Sequence, residues 1–575
     1  MNQSETSHPS YDKINAMLTA PQQMFEIEQR SIRGSTVRAW KNAPPTLRHV
    51  LESSRRFSDR VYIAYENEQL TFADHYRLVA ALATRLVKDF GIAKGDRVAI
   101  AMRNYPEWSV AFWAIVSIGA VVVPLNAWWT GDELAYGIKD SGSRLLFADA
   151  ERAERIAGRI GELGLKGVIV ARGENPASPY TDLHRLLADL PADIGLPETA
   201  PRDPEDDATI LYTSGTTGFP KGALGTHRNM CSMAVSGAFL GVRALLREGG
   251  SLKDLAQMQK VQQVLLLAVP LFHVVGSHGV LLQSLVGGSK IVMMHKWDAQ
   301  RALELMEREK VTALNATPTM VWQLVDHPDI AARNLAAVGV VGYGGAPAPP
   351  ELRRRIAELM PAAMPGTGYG ITETSSVISG MYGSDYRARP SSAGVAIPIS
   401  DIKAVDEHGR DAPPGQLGEL WIRGSNVVKG YWNKPEATAE AFTDGWFHSG
   451  DIGRIDEEGY VYIVDRKKDM IIRGGENVYC AEVEAALMDH PAVKGAAVIG
   501  IPDRVLGEQV GAVVHVDATQ DVSAEDLQEH ARRKLAAFKV PSRLWLREEP
   551  LPLGATGKIM KRELREQLLA QQQDD

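Results

Sequence analysis

Cysteine is nearly missing from this chain: Cys231 and Cys480 are the two it holds in 575 residues. Two thiols so far apart make neither a disulfide framework nor a zinc cluster, and they suit a reducing compartment. A basic surplus is missing too. Acidic residues outnumber basic ones by 71 to 63, no basic block interrupts the chain, and the formal net charge of -8 argues against a nucleic-acid partner. The first residues, "MNQSETSHPSYDK", lack the apolar run of a secretory leader. The last, "LLAQQQDD", carry no peroxisomal or lipid-attachment signal. Apart from the terminal glutamines there is no low-complexity segment, and no internal repeat.

One stretch approaches membrane-span length without a charge, "WSVAFWAIVSIGAVVVPLNAWWTG" at 108–131. Gly119 and Pro124 interrupt it, and the residues turn β-branched after Gly119. The pattern predicts a buried helix, a glycine stop and a buried strand. A cytoplasmic protein without an integral membrane segment is expected.

What is present is an ordinary globular composition, 45% hydrophobic and 23% charged, over a length that suggests roughly three to five domains or subdomains. From about 70 to 345, apolar helix-period segments alternate with short apolar strands. "DRVAIAM" (96–102), "GAVVVPL" (119–125), "SRLLFAD" (143–149) and "KGVIVA" (166–171) come first. "QQVLLLAVP" (262–270), "SKIVMMH" (289–295), "VTALNATP" (311–318) and "AVGVVGYG" (337–344) follow. This alternation implies an α/β fold with two doubly wound parallel sheets covered on both faces. After about 390, "GELWIRG" and "GYVYIVDR" are short and alternating, as in a small antiparallel or barrel-like module. A smaller α+β unit with helices in "AEVEAALMDH" and "SAEDLQEHARRKLAAF" completes the chain. The charged run "DRKKD" (465–469) marks the boundary, giving an N-terminal domain over 1–465 and a C-terminal domain over 466–575.

The densest chemistry lies in "ILYTSGTTGFPKGAL", 210–224. Thr213, Ser214, Thr216 and Thr217 surround Gly215 and Gly218, with Lys221 beyond. Glycines let backbone N–H groups converge on a phosphate, and hydroxyls add donors. The Walker pattern fails twice, at Pro220 and at Gly222 after the lysine. A surface turn would use the same residue types, but not so many hydroxyls.

"YTSGTTGFPKG" resembles the phosphate-binding signature of the acyl-adenylate-forming superfamily, which holds acyl-CoA synthetases, peptide-synthetase adenylation domains and beetle luciferases. "GYGITET" (368–374), "DGWFHSGDIG" (444–453), "YIVDRKKDMIIRGGENVYCAEVE" (462–484) and "LPLGATGKIMKREL" (551–564) follow in the family's order, so the resemblance spans about 45 to 565. Singly, these acids and bases would read as surface charges; their places within matching motifs reverse that. The resemblance implies a large N-terminal domain of two sheet subdomains and a small β-barrel, with a small mobile C-terminal domain. It implies attachment of AMP to a carboxylic acid from Mg·ATP, then displacement of AMP by a thiol.

By the same resemblance Thr213 to Lys221, with Ser214, Gly215, Thr216, Thr217 and Gly218, would hold the β- and γ-phosphates. Glu373 would hold Mg²⁺ and Thr372 would bond the α-phosphate. Tyr369 would lie on the adenine, with Gly368 and Gly370 leaving it room. Asp451 and Arg466 would take the ribose. Lys558 would bridge carboxylate and α-phosphate during adenylation, Lys468 would be the hinge, and Gly474 and Gly475 would line the pantetheine tunnel. His273 would be a gate between acid and tunnel; alone it would read as a core histidine, and His278 is left as structural.

The acid pocket would be lined by Val274, Val275, Thr317, Gly344, Gly345, Thr367 and Gly368 beside His273. No charge stands among them to hold an amino group, so an amino-acid substrate is disfavoured. Related hydroxycinnamate ligases carry tyrosine where Val275 stands, so a phenolic acid is disfavoured as well. The glycines leave the floor open, and a fatty acid is the first expectation, with cyclic, aryl or steroid-derived acids still open. No carrier-protein segment follows "KRELREQLL", which favours free coenzyme A; a separate carrier protein is the alternative acceptor. A binding protein with lost chemistry is the rival from another class, disfavoured by the joint presence of Glu373, Asp451, Arg466 and Lys558. A homodimer is compatible with the sequence.

Overall fold

A computed structural model describes residues 9–173, 180–188, 191, 194–199, 201, 203–213, 219–344, 350–554 and 557–574. Ser214, Gly215, Thr216, Thr217, Gly218 and Gly345 lie outside the described residues.

Two large sheets organise the first part. In the seven-stranded sheet the order is Lys221–Thr226, Asp207–Thr213, Val121–Pro124, Arg97–Ala101, Leu145–Asp149, Val168–Ala171 and Tyr180–Asp182. All neighbours are parallel except the first pair, an antiparallel hairpin. In the nine-stranded sheet a parallel core runs Met364–Ile371, Val340–Tyr343, Ala313–Ala316, Val264–Leu267, Lys290–Met293 and Val61–Tyr65. Antiparallel strands finish both of its edges.

The eight apolar runs from 96 to 344 all form strands, because segments covered on both faces need no polar alternation. The uncharged stretch at 108–131 divides as its sequence predicts. Helix Pro106–Ser117 is buried along its whole length and belongs to a core shared with residues of both sheets. Gly119 ends it at φ +77°, and the buried strand Val121–Pro124 follows. Among the described residues one helix, His227–Arg247, is long and apolar enough to cross a membrane. Its most apolar window is 61% buried within the protein, as in a core helix.

The strand Val61–Tyr65, unannounced by the sequence pattern, inserts beside Lys290–Met293. Helix Tyr11–Thr19 and the hairpin Ile27–Ile32/Ser35–Trp40 are likewise unannounced. They tie the N-terminus down through Trp40 Nε1 to Ser236 Oγ (3.0 Å) and an Arg38–Asp401 ion pair (2.6 Å).

The small β module is a five-stranded antiparallel sheet built around Trp446–Ile455, which pairs with three other strands. One of these, Val461–Arg466, is its last strand. The next strand, Ile471–Arg473, belongs to a separate sheet with Glu476–Val478, Gly507–Val516, Val493–Asp503 and Arg543–Arg547. That sheet has its own apolar core beneath helices Cys480–Met488 and Ala524–Arg532.

Candidate active site

Strands Asp207–Thr213 and Lys221–Thr226 pair directly, Thr213 against Lys221, so the loop between them closes a β-hairpin. A Walker loop leads from a strand into a helix; here the next described element is the antiparallel strand Lys221–Thr226. The base of the hairpin is fastened from outside. Phe219 stacks on Tyr136 at 5.0 Å, Tyr136 donates to the Pro220 carbonyl (2.9 Å), and Tyr212 donates to Asp140 (2.7 Å). Thr213 Oγ1 points back to the Lys221 carbonyl at 3.4 Å.

Across from the hairpin, Thr372 and Glu373 sit on a single helical turn, Thr372–Thr374, where strand Met364–Ile371 ends. Glu373 is buried, and burial raises its pKa above the ordinary carboxylate value against the lowering effect of a hydrogen bond from Tyr431 (2.9 Å). Tyr369 lies two residues before this turn's approach and donates to Asp451 Oδ2 at 2.7 Å. Burial and the Asp451 charge hold the phenol's pKa far above its usual value, so it stays a donor. Arg466 meets the other oxygen of Asp451 at 3.2 Å, the two being cross-strand partners. The residues assigned to adenine and to ribose are therefore joined through Asp451, by one hydrogen bond and one ion pair.

Gly370 is required by the protein itself: a β-carbon there would lie 1.8 Å from the Ser376 carbonyl oxygen. Gly368 would meet Val377 and Ser379 at 3.0 and 3.1 Å. The hairpin Met364–Ile371/Ser376–Tyr382 accounts for both glycines before any nucleotide is considered.

Several of the described residues expected to line the acid pocket stand close together on the nine-stranded sheet. Strands Ala313–Ala316, Val340–Tyr343 and Met364–Ile371 are adjacent and parallel, with Ala316 beside Tyr343 and Tyr343 beside Thr367. Thr317 and Gly344 thus stand just past the carboxyl ends of their strands, where open parallel sheets bind ligands, beside Thr367 and Gly368 in the middle of the longer strand Met364–Ile371. A methyl placed on Gly344 meets nothing within 4 Å. Next in the sheet, Val264–Leu267 leads through a turn to His273 and a π-helix, Val275–Leu282. Such wide turns gather at functional sites.

Val274 is buried and Val275 half-buried. Burial and the nearby Lys558 charge push the His273 pKa down to about 4, so the ring is neutral. Gly276 fixes this turn, since a β-carbon there would lie 2.2 Å from the Pro270 carbonyl oxygen. Gly276→Ala is expected to cost about 1–3 kcal/mol of stability through forced repacking. Thermal unfolding measures it, and an unchanged midpoint would show that the turn yields freely.

Lys558 arrives from the C-terminal part on a tight turn, with its carbonyl accepting from Gly554 N (2.8 Å). Gly557, at φ +73°, presses so close to the first part that a β-carbon would sit 2.8 Å from Thr317 Oγ1. The Lys558 side chain is ringed by protein atoms yet keeps open surface, as in a cleft. Burial first, then the Arg466 and Lys468 charges, lower its pKa to about 8, against the opposing pull of Asp451. The structure thus brings together Lys558, Asp451, Arg466, Lys468, His273 and Thr317. Gly474 and Gly475 lie elsewhere, exposed at the tip of a two-residue hairpin. Their φ values of +60° and +90° suit a type I′ turn, a local reason for two glycines.

The family described as AMP-binding enzyme matches residues 50–432, and its C-terminal domain family matches 482–558. The chain belongs to the AMP-binding enzyme family. A feruloyl-CoA synthase from Amycolatopsis sp is 36% identical over 500 residues, covering 86% of this chain and 93% of its own. A long-chain-fatty-acid–CoA ligase from Bacillus subtilis (strain 168) is 32% identical over 550 residues, covering 91% and 94%. Among solved structures, o-succinylbenzoate CoA synthetase from Bacillus subtilis, in complex with its acyl-adenylate intermediate, superposes with a TM-score of 0.74 at 29% identity. That match covers 91% of this chain and 98% of the other.

For an AMP-binding enzyme the fit of Mg²⁺ is a question of donors. Among the described residues no group of three or more His, Cys, Asp or Glu could hold a metal alone. Mg²⁺ asks for less, one or two carboxylates plus phosphate oxygens. Glu373 meets that need as a buried hard-oxygen donor whose Oε1, among the described residues, accepts from the Tyr431 hydroxyl. Tyr431, in "KGYWNKPEAT", stands outside the motifs singled out in the sequence. Its only sequence signal was an aromatic beside a turn.

Proposed function

We propose that this chain is an ATP-dependent carboxylic acid–CoA ligase, AMP-forming, whose acid is apolar and of the fatty class. The carboxylate oxygen attacks the α-phosphorus of ATP and the bond to pyrophosphate breaks. The thiol sulfur of coenzyme A then attacks the acyl carbon of the acyl-adenylate, AMP departs, and the thiol proton is released. The observation that carries this reading is the meeting of Lys558 with Asp451, Arg466 and His273 close to where the acid-pocket residues line up.

In this reading the 213–221 hairpin holds the β- and γ-phosphates and Thr372 the α-phosphate. Glu373 would hold Mg²⁺, which would supply positive charge to offset that of the phosphates. Tyr369, Asp451 and Arg466 hold the nucleoside. The Lys558 ammonium offsets the charge that gathers as carboxylate and α-phosphate approach. For the second step the part after about 466 turns on Lys468, withdraws Lys558 and presents the Gly474–Gly475 turn to the pantetheine, with His273 as the gate. Val274, Val275 and the open space at Gly344 support an apolar acid. Aryl acids form the second reading, supported by the similarity to feruloyl-CoA synthase.

Pyrophosphate release from Mg·ATP, measured across fatty, aryl and polycyclic acids with and without coenzyme A, tests both. Release with fatty acids and a CoA-dependent thioester by mass is expected. Release without thioester would move the acceptor to a carrier protein, and no release with any acid would overturn the proposal.

A further inference from the structure

The phosphate hairpin and the Glu373 turn come from distant parts of the sequence, yet one side chain touches both. Tyr431 donates its hydroxyl to Glu373 Oε1 at 2.9 Å. Its ring lies under the Lys221 ammonium, Nζ to centroid 5.4 Å. The backbone explains why they meet. Residues 429–432 run antiparallel along strand Lys221–Thr226, with a bridge between Ala223 and Tyr431. Leu224 N donates to Gly430 O (2.9 Å), Lys429 N to Leu224 O (2.9 Å) and Trp432 N to Gly222 O (2.8 Å). On the other side Val428 N donates to the Glu373 carbonyl (3.0 Å). Tyr431 is itself fixed, its N–H bonded to Thr438 Oγ1 (2.9 Å) and its ring set edge-on to Phe442.

We propose that Tyr431 is a positioning residue for the Mg·ATP complex: its hydroxyl aims the Glu373 carboxylate and its ring steers the Lys221 ammonium. This rests on the reading of Glu373 and Lys221 given above, and adds a residue that reading does not contain. The chemistry is direct. A buried carboxylate with a fixed donor on Oε1 has its orientation held, so it meets a ligand without a search over rotamers. A lysine on a four-carbon stem is a poorly directed charge, and an aromatic face beside it narrows where that charge can wait. Phosphate oxygens then displace the weak ring contact at little cost.

The test uses the full chain and two variants. Tyr431→Phe keeps the ring and removes the hydroxyl; Tyr431→Leu removes both. ATP binding is measured by calorimetry with Mg²⁺ and with chelator, alongside the Mg²⁺ concentration that half-saturates pyrophosphate release. Tyr431→Phe is expected to raise that concentration about tenfold, the scale of one hydrogen bond to a charged group, with metal-free ATP binding unchanged. Tyr431→Leu is expected to weaken metal-free binding as well. A Tyr431→Phe protein with wild-type Mg²⁺ dependence, or with metal-free binding lost as in Tyr431→Leu, overturns the proposal.

Glu373→Gln, measured in parallel, separates the two levels. If it keeps the wild-type Mg²⁺ dependence, the metal role of Glu373 itself is wrong. If it loses that dependence while Tyr431→Phe does not, only the role of the tyrosine is wrong.

Discussion

Lys558→Ala is expected to lower pyrophosphate release by about 10²–10³-fold, the usual cost of removing one charge-stabilising donor from a transition state. Thioester formation from supplied acyl-adenylate and coenzyme A should survive, because in the proposed second step the lysine has left the cleft. Equal loss of both half-reactions would sink the two-arrangement account. A pH profile gives an independent reading of the same side chain. With its pKa lowered to about 8 by burial and the nearby Arg466 and Lys468, Lys558 is charged below that pH and neutral above it. The dependence of kcat/KM for ATP should therefore fall as pH rises through about 8. The limb in kcat should lie higher, since bound phosphates favour the ammonium. Lys558→Arg, always charged, should remove the basic limb while lowering the rate.

Gly557→Val should also separate the half-reactions, by geometry and not charge. Gly557 adopts φ +73°, which a β-branched residue rarely tolerates. The new β-carbon would meet Thr317 Oγ1 at 2.8 Å. That hydroxyl caps helix Pro318–Val325, so it does not turn aside without loss. The turn carrying Lys558 would stop short of its place, and a displacement near 1 Å is worth about 10²-fold in rate. Adenylation should fall by that order, with the thermal midpoint and the thioester step little changed. Full adenylation in this variant would mean that the contact is incidental.

The parallel sheets were legible because their strands are buried on both faces and read as continuous apolar runs from "DRVAIAM" to "AVGVVGYG". Val61–Tyr65 was not, since its place beside Lys290–Met293 is a long-range pairing that no local pattern encodes. Site chemistry followed the same division. Lys558, Glu373 and Asp451 stand inside motifs and could be singled out in the sequence. Tyr431 acquires its role only through the Ala223–Tyr431 register, which brings it under Lys221 and against Glu373. Gly370, expected to leave the nucleotide room, is required by the facing strand in any case, a cause visible only once the hairpin is formed.

The row of Thr317, Gly344 and Thr367 on neighbouring strands has an evolutionary consequence. The sheet's ladder hydrogen bonds are made by backbone, so they are indifferent to which side chains sit at that rim. Much of the proposed nucleotide site lies on other segments, the 213–221 hairpin and strands Trp446–Ile455 and Val461–Arg466, while Tyr369, Thr372 and Glu373 follow Thr367 on or just after strand Met364–Ile371. A lineage can thus change the acid it accepts by exchanging a few rim residues, while the adenylating apparatus is inherited intact.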